Sequence, residues 1–283
     1  MRQDRRWELH SRRSVLVELR EDSGMTARIY LVGGWNGGAG RTLTAALLAY
    51  GLHLQGRRLA LVRQTHHDSI ATIDPIETTL PLPCCELELP DPYSLPADLA
   101  AGLATMIHGA DARFMDALHE LALTEVGTDG DVVVDLCCNE RAWNAATIRD
   151  AAVILVPARE SIFELDWAVR GFAHARDTQR YRDLLVPTLV ATIAPESGRA
   201  RQREQLSGLL RDCDPDCDIL PGDPSEVIVQ VPFLDEATLA ALFDERPIWQ
   251  DPELQARCLA FATAVADRAD AFMAMMLEHA DEF

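Results

Sequence analysis

Lysine is absent from this 283-residue chain: all 26 basic residues are arginine, set against 45 acidic residues, for a formal net charge of −19. So little positive charge sets up a field that repels polyanions, and nucleic acid or an anionic lipid surface would have to be met by a local basic face. Because the lack of lysine is chain-wide, a missing lysine at one position says little about that position on its own. Also lacking is any run that approaches the roughly 20 apolar residues of a membrane span. Cysteine is odd in number, seven, without the spacing of a disulfide module, which points to a reducing, cytoplasmic setting. Ser11 to Val17 has the twin-arginine look of an export signal. Glu18, Arg20, Glu21 and Asp22 interrupt the apolar stretch that such a signal requires.

What is present is 48% hydrophobic residues, enough for one sizeable core. Residues 1–24 are charged and aperiodic and read as a flexible extension, with the folded domain expected over 25–283. Ile29-Tyr30-Leu31-Val32 is a compact apolar run of buried-strand type. A glycine-rich turn follows over 33–40, then Leu43, Ala46, Leu47, Tyr50 and Leu54 at helical spacing. A second apolar run at 59–62 completes a parallel βαβ start. Residues 68–98 are rich in Pro, Asp and Thr and show no firm structure beyond a short strand at 86–89. Beyond them the pattern predicts a helix over 110–125 and strands over 131–135, 152–156 and 188–193, with a helix over 161–179 between the last two. Further helices are expected over 202–212, 236–243 and 252–279, and short strands over 219–220 and 227–231. Alternating strands and helices predict a single α/β domain, a mostly parallel sheet flanked by helices on both faces.

The turn Trp35-Asn36-Gly37-Gly38-Ala39-Gly40-Arg41-Thr42 lies between a strand and a helix. There a glycine loop can aim backbone N–H groups at phosphates beside a helix N-terminus. As an ordinary P-loop, G-x-x-x-x-G-K-[ST], it fails, because Trp35 stands at the first glycine and Arg41 at the lysine. The pattern K-G-G-x-G-K-[ST] fits better through Gly37, Gly38, Gly40 and Thr42, with Asn36 and Arg41 at its two lysines. On these residues, and on the order of the strands and the late Pro232-Phe233 segment that follow, residues 28–270 resemble the ParA/MinD family of deviant Walker NTPases, somewhat like its VirC1 branch.

The resemblance implies a P-loop NTPase fold, ATP with Mg as cofactor, and nucleotide contacts from Asn36, Gly37, Gly38, Ala39, Gly40, Arg41, Thr42 and Leu43. It implies Thr42 and Asp135, the residue that ends Val132-Val133-Val134-Asp135, as the magnesium side. It also shows erosion. Relatives end the second strand in Asp-x-Asp, which positions the attacking water, where this chain has Arg63-Gln64-Thr65. With the dimer-crossing lysine replaced by Asn36 as well, three contributions to phosphoryl transfer are lost and ATPase activity is expected to be weak or absent. Two readings of the loop stay open: a glycine turn kept for packing, or residual nucleotide binding. The implied partners are a protein or cargo and a second ParA-like chain, identical or paralogous.

Other residues carry a chemical reading and a plainer one. Cys84-Cys85, Cys137-Cys138 and Cys213-x-x-x-Cys217 are metal candidates, but adjacent cysteines rarely share one ion and read more simply as small hydrophobes. His66 and His67 follow the second strand and read as loop residues unless they meet a phosphate. Arg199, Arg201 and Arg203 are a DNA-contact candidate diluted by Glu196, Glu204 and Asp212, and read more simply as a solvated face. The C-terminal amphipathic helix carries Asp267, Asp270 and Glu278 on its polar side, which suits packing on the domain rather than an anionic membrane. Deleting residues 1–24 should leave a folded protein whose melting temperature moves by no more than a few degrees. A collapse in the thermal unfolding transition would show that the segment is structural.

Overall fold

The computed structural model describes residues 28–34, 38–65, 75–88, 102–136, 145–181, 185–214, 220 and 222–278. The strands are β1 Ile29–Val32, β2 Leu59–Thr65, β3 Cys84–Glu88, β4 Asp131–Asp135, β5 Ala151–Ala158, β6 Thr188–Thr192 and β7 Ile228–Gln230. The helices are α1 Arg41–Leu54, α2 Pro75–Thr79, α3 Gly102–Glu125, α4 Ala145–Asp150, α5 Ile162–Tyr181, α6 Glu196–Cys213, α7 Glu236–Phe243 and α8 Pro252–Glu278, with 3-10 turns at Pro224–Val227 and Ile248–Gln250. The seven strands form one sheet in the order β3-β2-β4-β1-β5-β6-β7, and every pairing is parallel. This is the α/β architecture expected, with a sheet that is parallel throughout. The N-terminal extension lies outside the described residues.

The reason is legible in burial. All four residues of β1 and all five of β4 are buried, as strands covered on both faces must be. α1 and α8 pack on each other and cover one face of the sheet, while α3, α4, α5 and α6 form a second layer. The apolar stripe of α8, including Leu254, Phe261, Val265 and Phe272, is buried on the domain. No helix among the described residues is long and apolar enough to cross a membrane.

The chain leaves β1 to build β2 and β3 on one side, returns to place β4 beside β1, then crosses to β5 on the other side. Strand order reverses at β1, and in such sheets ligands sit outside the C-terminal strand ends at that point. The C-terminal ends of β2, β4, β1 and β5 therefore lie side by side there.

Several boundaries differ from expectation. The stretch over 68–98 contains α2, read as loop, which Pro75 opens as a single helical turn, and the short strand expected at 86–89 is β3, two residues earlier at Cys84–Glu88, where it pairs with β2 at the sheet edge. α3 begins at Gly102 rather than 110, and α6 at Glu196 rather than 202, where Pro195 is the N-cap and Gly198 lies inside the first turn. α4, only six residues, has too few turns for a periodic signal. Leu220 is not in a strand, and residue 219 lies outside the described residues.

Gly51 lets the two helices of the first layer touch. A side-chain carbon there would run into the backbone carbonyl of Cys258 and stand 2.9 Å from Ala262 Cβ. Gly51→Ala should therefore lower stability by about 1–3 kcal/mol. This holds even though alanine is the better helix former by about 1 kcal/mol. A reduced urea midpoint checks it; an unchanged or higher midpoint would mean that α8 does not seat on α1 as described.

Candidate functional site

Gly33 N–H donates to Leu155 O at 3.0 Å, which ties the exit of β1 to β5 before the loop begins. Trp35, Asn36 and Gly37 lie outside the described residues. The loop returns at Gly38 with φ +80° and passes through Gly40 at φ +86°, left-handed conformations that suit glycine. Gly40 is doubly constrained, since a Cβ there would stand 2.6 Å from Ile193 Cδ1. As the N-cap of α1 it offers no side-chain acceptor, so no side chain caps the first N–H groups of the helix.

The next two side chains turn toward β4. Thr42 Oγ1 donates to Asp135 Oδ2 at 2.7 Å, and Arg41 Nη1 donates to Leu136 O at 2.6 Å. Asp135 is only 6% exposed. Burial pushes its carboxyl pKa up, against the pull of the Thr42 hydroxyl and the Arg41 and Arg63 guanidinium groups. Arg63 is the register partner of Asp135 across the β2–β4 pairing. Its Nη1 also lies 3.3 Å from Glu77 Oε1 and 3.8 Å from Glu86 Oε1. From the far side, Arg159 Nη1 donates to Gly38 O at 3.4 Å.

Of the residues expected to contact nucleotide, Gly38, Ala39, Gly40, Arg41, Thr42 and Leu43 are brought to one place, while Asn36 and Gly37 lie outside the described residues. Ala39 is buried and Leu43 packs against the core. Glu77, Glu86, Arg159 and the Leu136 carbonyl were not anticipated. For Glu77 the signal was Pro75, a helix-opening residue two positions earlier.

The left-handed glycines and the uncapped start of α1 fit a phosphate group. Thr42 and Asp135 supply the hard oxygen donors that a divalent ion prefers. The space beside them does not match. Thr42, Asp135, Arg63, Glu77, Cys84 and Cys85 line a cavity of about 10 Å³, room for roughly one water. A magnesium ion with its retained waters does not fit there while Arg63 holds its place.

The remaining candidates are quieter. Burial pushes the Cys84 thiol up to about 11, so it is protonated at neutral pH and a poor metal ligand. No group of three or more His, Cys, Asp or Glu residues among the described residues is placed to hold a metal. Cys137, Cys138, Cys217, His66 and His67 lie outside the described residues. On α6, Arg203 donates to Ser225 O at 3.3 Å and Arg201 is exposed.

No protein-family model matches this chain, and no curated protein matches it by sequence. Solved structures do match. A ParA family ATPase from Chlorobium tepidum superposes with a TM-score of 0.55 at 11% identity, covering 85% of this chain and 98% of that one. An McdA–ATP complex from Cyanothece gives 0.51 at 14% identity, covering 86% and 97%, and the cell division ATPase MinD of Pyrococcus furiosus gives 0.51 at 12%, covering 85% and 99%. The fold is thus that of the ParA, MinD and McdA ATPases over nearly their whole length.

The burial of Asp135 has a measurable sign. A carboxyl whose folded pKa is raised binds more protons folded than unfolded, so its contribution is intact below the ordinary value of 3.8 and lost as pH rises through the folded pKa. Asp135→Asn removes that loss. The stability of Asp135→Asn relative to wild type should increase from pH 4 to pH 8, read by urea unfolding at each pH. A difference that stays flat or declines would mean that the carboxylate is not held against desolvation.

Proposed function

We propose that this chain is a ParA/MinD-like positioning or partitioning protein whose ATPase centre has eroded and which acts mainly as a partner-binding scaffold. Its cargo would be of the kind such proteins place: a plasmid, a secretion or conjugation apparatus, or an envelope enzyme complex. The observation that carries the reading is Arg63. Near the end of β2 it is held in ion pairs with Glu77 and Glu86, where catalysis needs a group free to orient water. A guanidinium donates but cannot accept, and it does not ionise to act as a base. Arg41 adds to the case, because its guanidinium is spent on Leu136 O.

A patch beside the loop supports a protein partner. Ile162, Phe163 and Trp167, exposed by 50%, 77% and 44%, crowd the first turns of α5, directly after Arg159, which touches the loop at Gly38. Large apolar side chains grouped on a surface mark association sites more often than chance exposure. The net charge of −19 speaks against nucleic acid as the main partner.

A second reading has its own support. The Thr42–Asp135 hydrogen bond and the left-handed glycines are what an ATP-dependent dimerisation switch would keep, with weak ATPase activity and nonspecific DNA binding through residues such as Arg201. ATP with Mg would then be held by Gly38, Gly40 and Thr42, and the group would supply a transferable phosphoryl.

Sedimentation without nucleotide and with ADP, ATP or a nonhydrolysable analogue separates the two. The scaffold reading expects the monomer–dimer balance to shift by less than about threefold among these conditions, whether the chain pairs with itself or with a ParA-like paralogue. It also expects Arg41→Lys to create no ATPase turnover, since Asn36 and Arg63 remain. A dimer seen only with ATP, or turnover abolished by Asp135→Ala, would restore the switch.

A further inference from the structure

We infer that the guanidinium of Arg63 is a resident cation that stands in for the divalent ion at Asp135, so that this centre neutralises its own carboxylate and turns magnesium away. The inference deepens the eroded-centre reading above and rests on it. Register pairing of β2 with β4 puts the Arg63 and Asp135 side chains on the same sheet face, from strands roughly 4.8 Å apart. The arginine is held there. Glu77 at 3.3 Å and Glu86 at 3.8 Å flank its Nη1, and only 22% of its side chain is exposed.

The clamp is itself anchored. α2, which carries Glu77, is pinned by the burial of Ile76 and by Trp249 Nε1, which donates to Thr79 Oγ1 at 3.0 Å. Trp249 is in turn fixed through its carbonyl, which accepts from Tyr50 Oη and from Gln255 Nε2. Glu77 thus comes from an element tied to α1 and to the start of α8, not from a loose loop.

Space and charge then act together. The cavity between these residues, about 10 Å³, admits roughly one water rather than a six-coordinate ion. Arg41 and Arg63 both act on Asp135, and Glu77 and Glu86 are already paired with Arg63, so a divalent ion arriving at Asp135 would meet two guanidinium charges with those neighbouring carboxylates engaged. Guanidinium is also the cation that proteins bury more readily, because it is weakly hydrated and planar.

Manganese titration of the nucleotide-free full chain, followed by the electron paramagnetic resonance signal of the free ion, tests this. Wild type and Asp135→Asn should bind equal, low amounts of Mn²⁺. Arg63→Gln should gain at least about a tenfold increase in affinity at one site, and the gain should vanish in Arg63→Gln/Asp135→Asn. Arg63→Lys, which keeps the charge, should stay metal-free, and Arg63→Met serves if the glutamine variant does not fold. Mn²⁺ binding by wild type that is lost in Asp135→Asn would overturn the inference, as would a gain in Arg63→Gln that ignores Asp135, or no gain in either neutral variant. No nucleotide is present, so this result stands apart from the sedimentation outcome: an ATP-only dimer would sink the scaffold reading, while the manganese arms judge Arg63.

Discussion

A carboxylate taken out of water at the centre of the sheet is the constraint to which the rest of this molecule answers. Asp135 ends β4 at the point where strand order reverses, buried to 6% exposure. An ionised group there is costly unless hydrogen bonds and opposite charge surround it. Thr42 supplies the hydrogen bond and Arg41 positive charge from the first turn of α1, and Arg63 adds positive charge from β2. The carboxylate thus links the start of α1, β2 and β4 into one electrostatic unit.

Topology makes that unit unavoidable. In an all-parallel sheet the C-terminal strand ends lie on one edge, and the reversal at β1 places the exits of β1, β2 and β4 side by side. The glycines at 38 and 40 bend the chain back so that α1 starts over β4. Gly51 then lets α8 close against α1, and the Trp249 turn just before α8 holds α2 in place. Through this path the C-terminal segment reaches the centre, by way of Glu77 and Arg63, although it contributes no residue to it.

Much of this was legible in the sequence, for reasons that also explain what was not. The runs at 29–32 and 132–134 are apolar throughout because both sheet faces are covered, so the buried strands could be read directly, with Asp135 at the end of one of them. The glycine spacing gave the loop. What could not be read was the partner of Arg63. β3 is an edge strand half-open to solvent and shows only as a short run at 86–89, and α2 is one turn long, too short to carry a period, so nothing in the sequence joins either to Arg63. The ion pairs of Arg63 join residues 14 and 23 positions away, and only the pairing of β2 with β3 brings Glu86 beside it. Likewise the start of α6 was hidden by Pro195 and Gly198, which read as loop residues although one is an N-cap and the other makes room for Glu160.

The chain-wide lack of lysine takes on structural meaning at Arg41. An ammonium is a compact point charge that can nest in a glycine loop, whereas a guanidinium is a planar fork that seeks oxygen acceptors in its own plane. Arg41 finds one in Leu136 O, at the exit of β4. An arginine here therefore directs its charge to the strand end. On the inference drawn above, that charge leaning on β4 and the second guanidinium at Arg63 together neutralise Asp135 and leave little room for a divalent ion. On the eroded-centre reading proposed above, arginine at 41 and arginine at 63 are coupled: the first brings a positive charge toward Asp135, and the second supplies another.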